Sequence, residues 1–154
     1  MSGQASVQLA VELAVRQRDQ ARQEVAQAQQ VVQFAREQMG QLERYAQETQ
    51  ERWVTQSKDQ STPELMRHYY QFMDKLYEAI SLQSQVLLDA GQRLQAREKA
   101  LLEAEYRLAS RESVLAGLRK AASVKQEKVE QKQQDELAAQ QHRRNWVVHH
   151  GGER

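Results

Sequence analysis

A leucine-type residue recurs at every seventh position through Met66, Met73, Ile80, Leu87, Leu94, Leu101, Leu108 and Leu115. A repeat of seven kept up over so many turns lays one narrow apolar stripe along a helix, and supercoiling around a partner absorbs the mismatch between 3.5 and 3.6 residues per turn. An earlier heptad runs in alternating steps of four and three through Val7, Val11, Ala14, Arg18, Ala21, Val25, Ala28, Val32, Ala35, Met39, Leu42, Ala46, Thr49 and Trp53. Only Arg18 and Thr49 break it. The pattern predicts an all-α chain of two long helices, 5–56 and 63–142, with a turn at 57–62.

The break between them carries its own chemistry. Residues 57–61 are polar and free of periodic apolar positions. Thr62 can cap a helix, and Pro63 suits its first position because the missing amide would be unpaired there anyway. Ser61 and Glu64 have capping-box spacing. A helical hairpin follows, and antiparallel pairing fixes its register to within whole heptads. Pairing residues whose numbers sum to 122 centres the turn on Ser61. That register sets Ala14, Ala21, Ala28 and Ala35 opposite Leu108, Leu101, Leu94 and Leu87, so small side chains receive large ones along one line. It also sets Trp53 against Tyr69 beside the turn, and Arg18 against Ala104, where a small neighbour leaves the guanidinium room to reach water.

The helices are unequal, so the antiparallel coiled-coil hairpin is expected to leave the second helix overhanging past Leu115. At a rise of about 1.5 Å per residue the first reaches about 80 Å and the second about 120 Å. Beyond Leu115 the apolar positions thin to Leu118, Ala121, Ala122, Val124, Val129 and Leu137 among lysines and glutamines. Residues 1–144 form one helical domain in this reading. Residues 145–154 lack periodicity and are expected to be a disordered tail. Near the turn, Leu65, Tyr69, Phe72, Leu76 and Ala79 run beside the main stripe, and Gln38, Leu42 and Tyr45 flank Met39 and Ala46. This widening fits either a thicker end-cap or a surface for a partner.

Composition narrows the function classes. The chain has 154 residues, 26 of them glutamine, with 40% hydrophobic and 6% aromatic residues. Good helix formers with few aromatics build solvated helices rather than a thick core. A formal charge of +1 supplies no field to gather nucleic acid or an anionic membrane. Arg143 and Arg144 near Trp146 are too few to argue for nucleic acid. There is no cysteine, which removes thiolate and disulfide chemistry. No apolar run of about 18 residues marks a membrane span, and no leader pattern opens the chain. A soluble, cytoplasmic protein is expected. Catalysis finds no phosphate-binding glycine loop, no nucleophile beside a base, and four scattered histidines, His68, His142, His149 and His150. No enzyme activity, cofactor or metal is expected.

From about Leu9 to Arg144 the chain resembles the flagellar export protein FliJ family. The resemblance lies in the two unequal helices, in the tip residues Gln38, Leu42, Tyr45 and Tyr70-Gln71-Phe72 with Leu76, Ala79 and Ile80, and in the segment Gln131 to Ala138. That last segment is similar to the family's recurring lysine followed by Asp-Glu and a small residue. The resemblance implies a non-enzymatic component of the flagellar type III protein export apparatus, cytoplasmic and peripherally associated with the cell membrane at the flagellar base. It implies a coiled-coil stalk that binds the hexameric export ATPase, contacts the export gate protein FlhA and helps recycle export chaperones. Carried over by position, Gln38, Leu42, Tyr45, Phe72, Leu76 and Ala79 are the gate-contact candidates. Thr49 and Gln83 depart from the family pattern at the edge of that patch. Leu42 and Leu76 also fall in the seam, where they would support the patch from beneath. Arg119, Lys125, Lys128 and Lys132 are the candidates for the ATPase ring, facing carboxylates in its pore. Competing readings are the homologous stalk of a virulence-type secretion system and a plain tethering coiled coil.

Overall fold

A computed structural model describes residues 3–58 and 61–151. Two helices account for nearly all of them, α1 over Gly3–Ser57 and α2 over Pro63–His150. No strand occurs among the described residues, and the helices pack as an antiparallel hairpin with α2 the longer. Asp59 and Gln60 of the expected turn lie outside the described residues. α2 starts on Thr62, whose hydroxyl oxygen accepts from the Leu65 amide at 3.3 Å while its carbonyl accepts from the Met66 amide at 3.0 Å. Thr62 is therefore the N-cap and Pro63 the first helical residue. This places Ser61 one position ahead of the cap, so its capping-box spacing to Glu64 is not the one used.

Contacts group into two compact units. In the unit Arg16–Tyr106, Trp53 stacks on Tyr69 with ring centroids 4.5 Å apart, the pair the 122 register brings together. Ala46, Met73 and Leu76 form a buried cluster, with Leu42, Tyr69 and Ile80 packed against it. Burial against this cluster pushes the Tyr69 phenol above its ordinary pKa, and the neighbouring Tyr77 and Tyr70 add to the shift. Arg18, opposite the buried Ala104, keeps its side chain partly exposed and pairs with Asp19 at 2.9 Å. Every seam position read from α1 is at least partly buried, from Val7 to Trp53. On α2 Met66 and Arg97 are exposed, where their register partners would be Gln56 and Val25.

The other unit joins the residues up to Val15 with those from Arg107 onward, and buries Ala14, Leu108 and Leu115. Arg111 lies in this seam, and its Nη1 is buried without a hydrogen-bond partner. Such an orphan donor costs about 1–3 kcal/mol. Arg111→Leu, opposite Val11 in the register, is accordingly expected to stabilise the protein by about that amount. Thermal unfolding followed by circular dichroism would show it; a lower midpoint would mean that the rest of the guanidinium holds the unit together.

α2 also corrects the expected disordered tail. It continues through Asn145 to His150, with the Trp146 and His150 rings stacked 4.6 Å apart and His150 Nδ1 3.0 Å from the Trp146 carbonyl. An established helix extends at little cost, whereas a new one must nucleate. Histidines in the last turn also suit the negative end of the helix dipole. Residues 152–154 lie outside the described residues. Space around Gly40, Gly91 and Gly117 is open to 4 Å, so no close approach calls for glycine there.

Candidate functional sites

Two surfaces stand out, one in each unit. The first lies near the turn. Tyr45 on α1 and Phe72 on α2 meet edge to face, ring centroids 5.7 Å apart and planes at 85°, yet both stay substantially exposed. Gln38 is exposed one heptad along α1, and Ala79, half-buried, is one heptad along α2. Heptad spacing explains the alignment, because residues seven apart return to one helix face. Leu42 and Leu76 do not share that surface. Leu76 is 7% exposed in the buried cluster and Leu42 packs against it, so reading them as direct contacts gives way to support from beneath. The apolar residues beside the main stripe of α2 separate into two rows: Tyr69 and Leu76 complete the seam, while Phe72, exposed, and Ala79, half-buried, lie on its flank.

Thr49 and Gln83 also belong to the seam. Thr49 is partly buried. Gln83 is partly buried too, and its Nε2 donates to the Ala35 carbonyl across the hairpin at 3.0 Å. That bond gives a polar side chain a partner at a seam position, as a buried amide requires. Tyr70 and Tyr77 are exposed as well, on the other flank of the α2 seam.

The second surface is the free length of α2. Every described residue from Ala116 to Gly151 is exposed. Lys125, Lys128 and Lys132 follow at three and four residues and so share one side of the helix. Arg119 points to the other side, and the structure does not bring it to that stripe. Lys120 joins instead: it lies with Gly117, Ala121, Val124, Lys125 and Lys128 around one shallow apolar hollow. The spacing of Lys120, Val124 and Lys128 by four was the sequence signal for it. Two of the four nearby acids are engaged along the helix, Glu130 accepting from Gln126 at 3.1 Å and Asp135 from Gln131 at 3.2 Å. Lys125, Lys128 and Lys132 enter no ion pair among the described residues.

Neither surface is an enclosed site. Among the described residues, no three His, Asp or Glu side chains gather as a metal set would, and no helix is long and apolar enough to cross a membrane. No curated protein and no solved structure matches the chain. A family model does match it, over residues 5–146, and its description is flagellar FliJ protein.

Proposed function

The chain belongs to the flagellar FliJ family and is a component of the flagellar export apparatus, and from this we propose that it serves as the stalk of that apparatus. In this reading it performs no chemistry. The free length of α2 binds within the ring of the hexameric export ATPase, the Tyr45–Phe72 surface contacts the export gate protein FlhA at the cell membrane, and the coiled coil helps recycle export chaperones. The observation that carries the ATPase contact is the unbroken exposure of α2 beyond Leu115. A basic helix, with seven Lys and Arg against four Asp and Glu from Ala116 to Gly151, that stays exposed over that length gains its function from something outside the chain. A stalk biases the subunits around it only by binding their conformations unequally.

ATP hydrolysis by the cognate export ATPase tests the proposal, measured with the full chain and with a chain ending at Gly117. The shortened chain keeps the seam through Leu115, and circular dichroism would report its helicity. Stimulation by the full chain and none by the shortened one is the expected outcome. No effect from either would return the protein to a tethering coiled coil within the export apparatus.

A further inference from the structure

Ala14, Ala21, Ala28 and Ala35 recur every seven residues, as do Leu87, Leu94, Leu101 and Leu108 opposite them. Sliding one helix past the other by a heptad therefore still sets each alanine against a leucine-type residue. Volume matching along this line fits the neighbouring registers as well as the one adopted. Residues that break the repeat have to choose. Three seam positions carry charge, Arg18 on α1 and Arg97 and Arg111 on α2, and all three are arginine. In the adopted register each faces an apolar residue: Arg18 faces Ala104, Arg97 faces Val25 and Arg111 faces Val11. Ala104 and Val25 are buried and Val11 is half-buried. The guanidiniums of Arg18 and Arg97 leave the seam for Asp19 and Glu24, at 2.9 Å and 3.1 Å, while Arg111 keeps one nitrogen buried without a partner.

Arg97 and Arg111 lie one heptad to either side of Ala104, the residue opposite Arg18. A slip of α2 by one heptad in one direction sets Arg18 against Arg97, and in the other direction sets it against Arg111. Either slip brings two guanidiniums together across a narrow apolar seam, where like charges repel at reduced dielectric and compete for the same route to water. Registers two heptads away would melt about four turns of helix beside the loop, twice the loss of a single slip, so the two neighbours are the ones that compete. We propose that Arg18, Arg97 and Arg111 together act as a register lock, admitting the pairing in which each arginine has an apolar partner and rejecting both neighbours. A slip of one heptad would move α2 by about 10 Å along α1 and change the length of α2 left free by the same amount. The lock thereby sets the reach of that free length, at a cost in stability where Arg111 is buried.

The chain has no cysteine, so nitroxide labels on Glu37→Cys and Lys99→Cys, both at exposed positions on the outer faces, report the register of the full chain by pulsed electron spin resonance. One distance is expected while the three arginines are in place. Arg18→Glu turns both rejected pairings into opposite-charge pairs, and a second population is expected, displaced by one heptad or about 10 Å along the axis. Arg97→Glu together with Arg111→Glu makes the same change from α2 and should also split the distance. Arg36→Glu, the same reversal at an exposed position outside the seam, should leave it single. An unsplit distance in both seam variants, with circular dichroism showing the helices intact, overturns the proposal and leaves the turn alone to set the register. Loss of helicity in both overturns it as well, because the arginines would then hold the pair together rather than choose among pairings. Splitting by Arg36→Glu would do the same, by making net charge and not the seam responsible.

Discussion

Leu76→Ala is expected to destabilise the hairpin by about 2–5 kcal/mol, the range for removing a buried leucine and leaving part of its volume empty. Leu76 sits in the cluster with Ala46 and Met73, roofed by Leu42, Tyr69 and Ile80. Ala46 opposite is already small, so little nearby can move in to fill the gap. Phe72→Ala is expected to cost far less, about 0.5–1.5 kcal/mol for the edge-to-face contact with Tyr45, because the ring is substantially exposed. The two variants therefore separate roles that lie four residues apart. Thermal unfolding should show a large loss for Leu76→Ala and a small one for Phe72→Ala, while binding to the export gate should fall for Phe72→Ala at temperatures where both are folded. Equal losses of stability would make Phe72 a core residue and remove the exposed patch from the gate contact.

The seam was legible because a heptad is a strong periodic signal, and the register followed from centring the turn on the break at Ser61. The Trp53–Tyr69 stack holds the pair that register named. Other features were not legible, for physical reasons. Gln83 looks like an exposed residue by polarity alone; only the nearby Ala35 carbonyl makes its place in the seam tolerable. The helix to His150 has no apolar stripe to announce it and is held by local contacts and by continuation of a long helix. Leu76 and Phe72 share an apolar character that periodicity reads as one stripe, and the difference of four residues decides which is beneath and which above.

The surfaces of the two units differ in the kind of recognition they offer. Around Tyr45 and Phe72 the side chains are aromatic and only partly desolvated, which suits anchoring into a complementary pocket. Along α2 beyond Leu115 the apolar residues are scattered, and the distinguishing feature is a row of cations, with two of the neighbouring acids, Glu130 and Asp135, accepting from glutamines. Such a row favours encounter and orientation more than tight burial.

Reversing Lys125, Lys128 and Lys132 to glutamate together is therefore expected to abolish stimulation of the export ATPase at low ionic strength, whereas Arg119→Glu alone should leave most of it. The three lysines span about 10 Å of helix, comparable to the screening length at physiological salt, so a facing carboxylate cluster sees them as one patch. Arg119 lies on the other side and contributes little to that field. Salt should weaken the wild-type effect in the same direction as the substitutions. The new glutamates also create like-charge neighbours one turn apart, each costing a few tenths of a kcal/mol in helix stability. Replacing the same lysines by glutamine avoids that repulsion, and circular dichroism would establish that the helix persists. Loss of stimulation in both sets with helicity intact would locate the contact in the lysine stripe; full stimulation by the glutamate variant would remove that stripe from the mechanism and leave the apolar hollow at Val124 as the feature of α2 to examine.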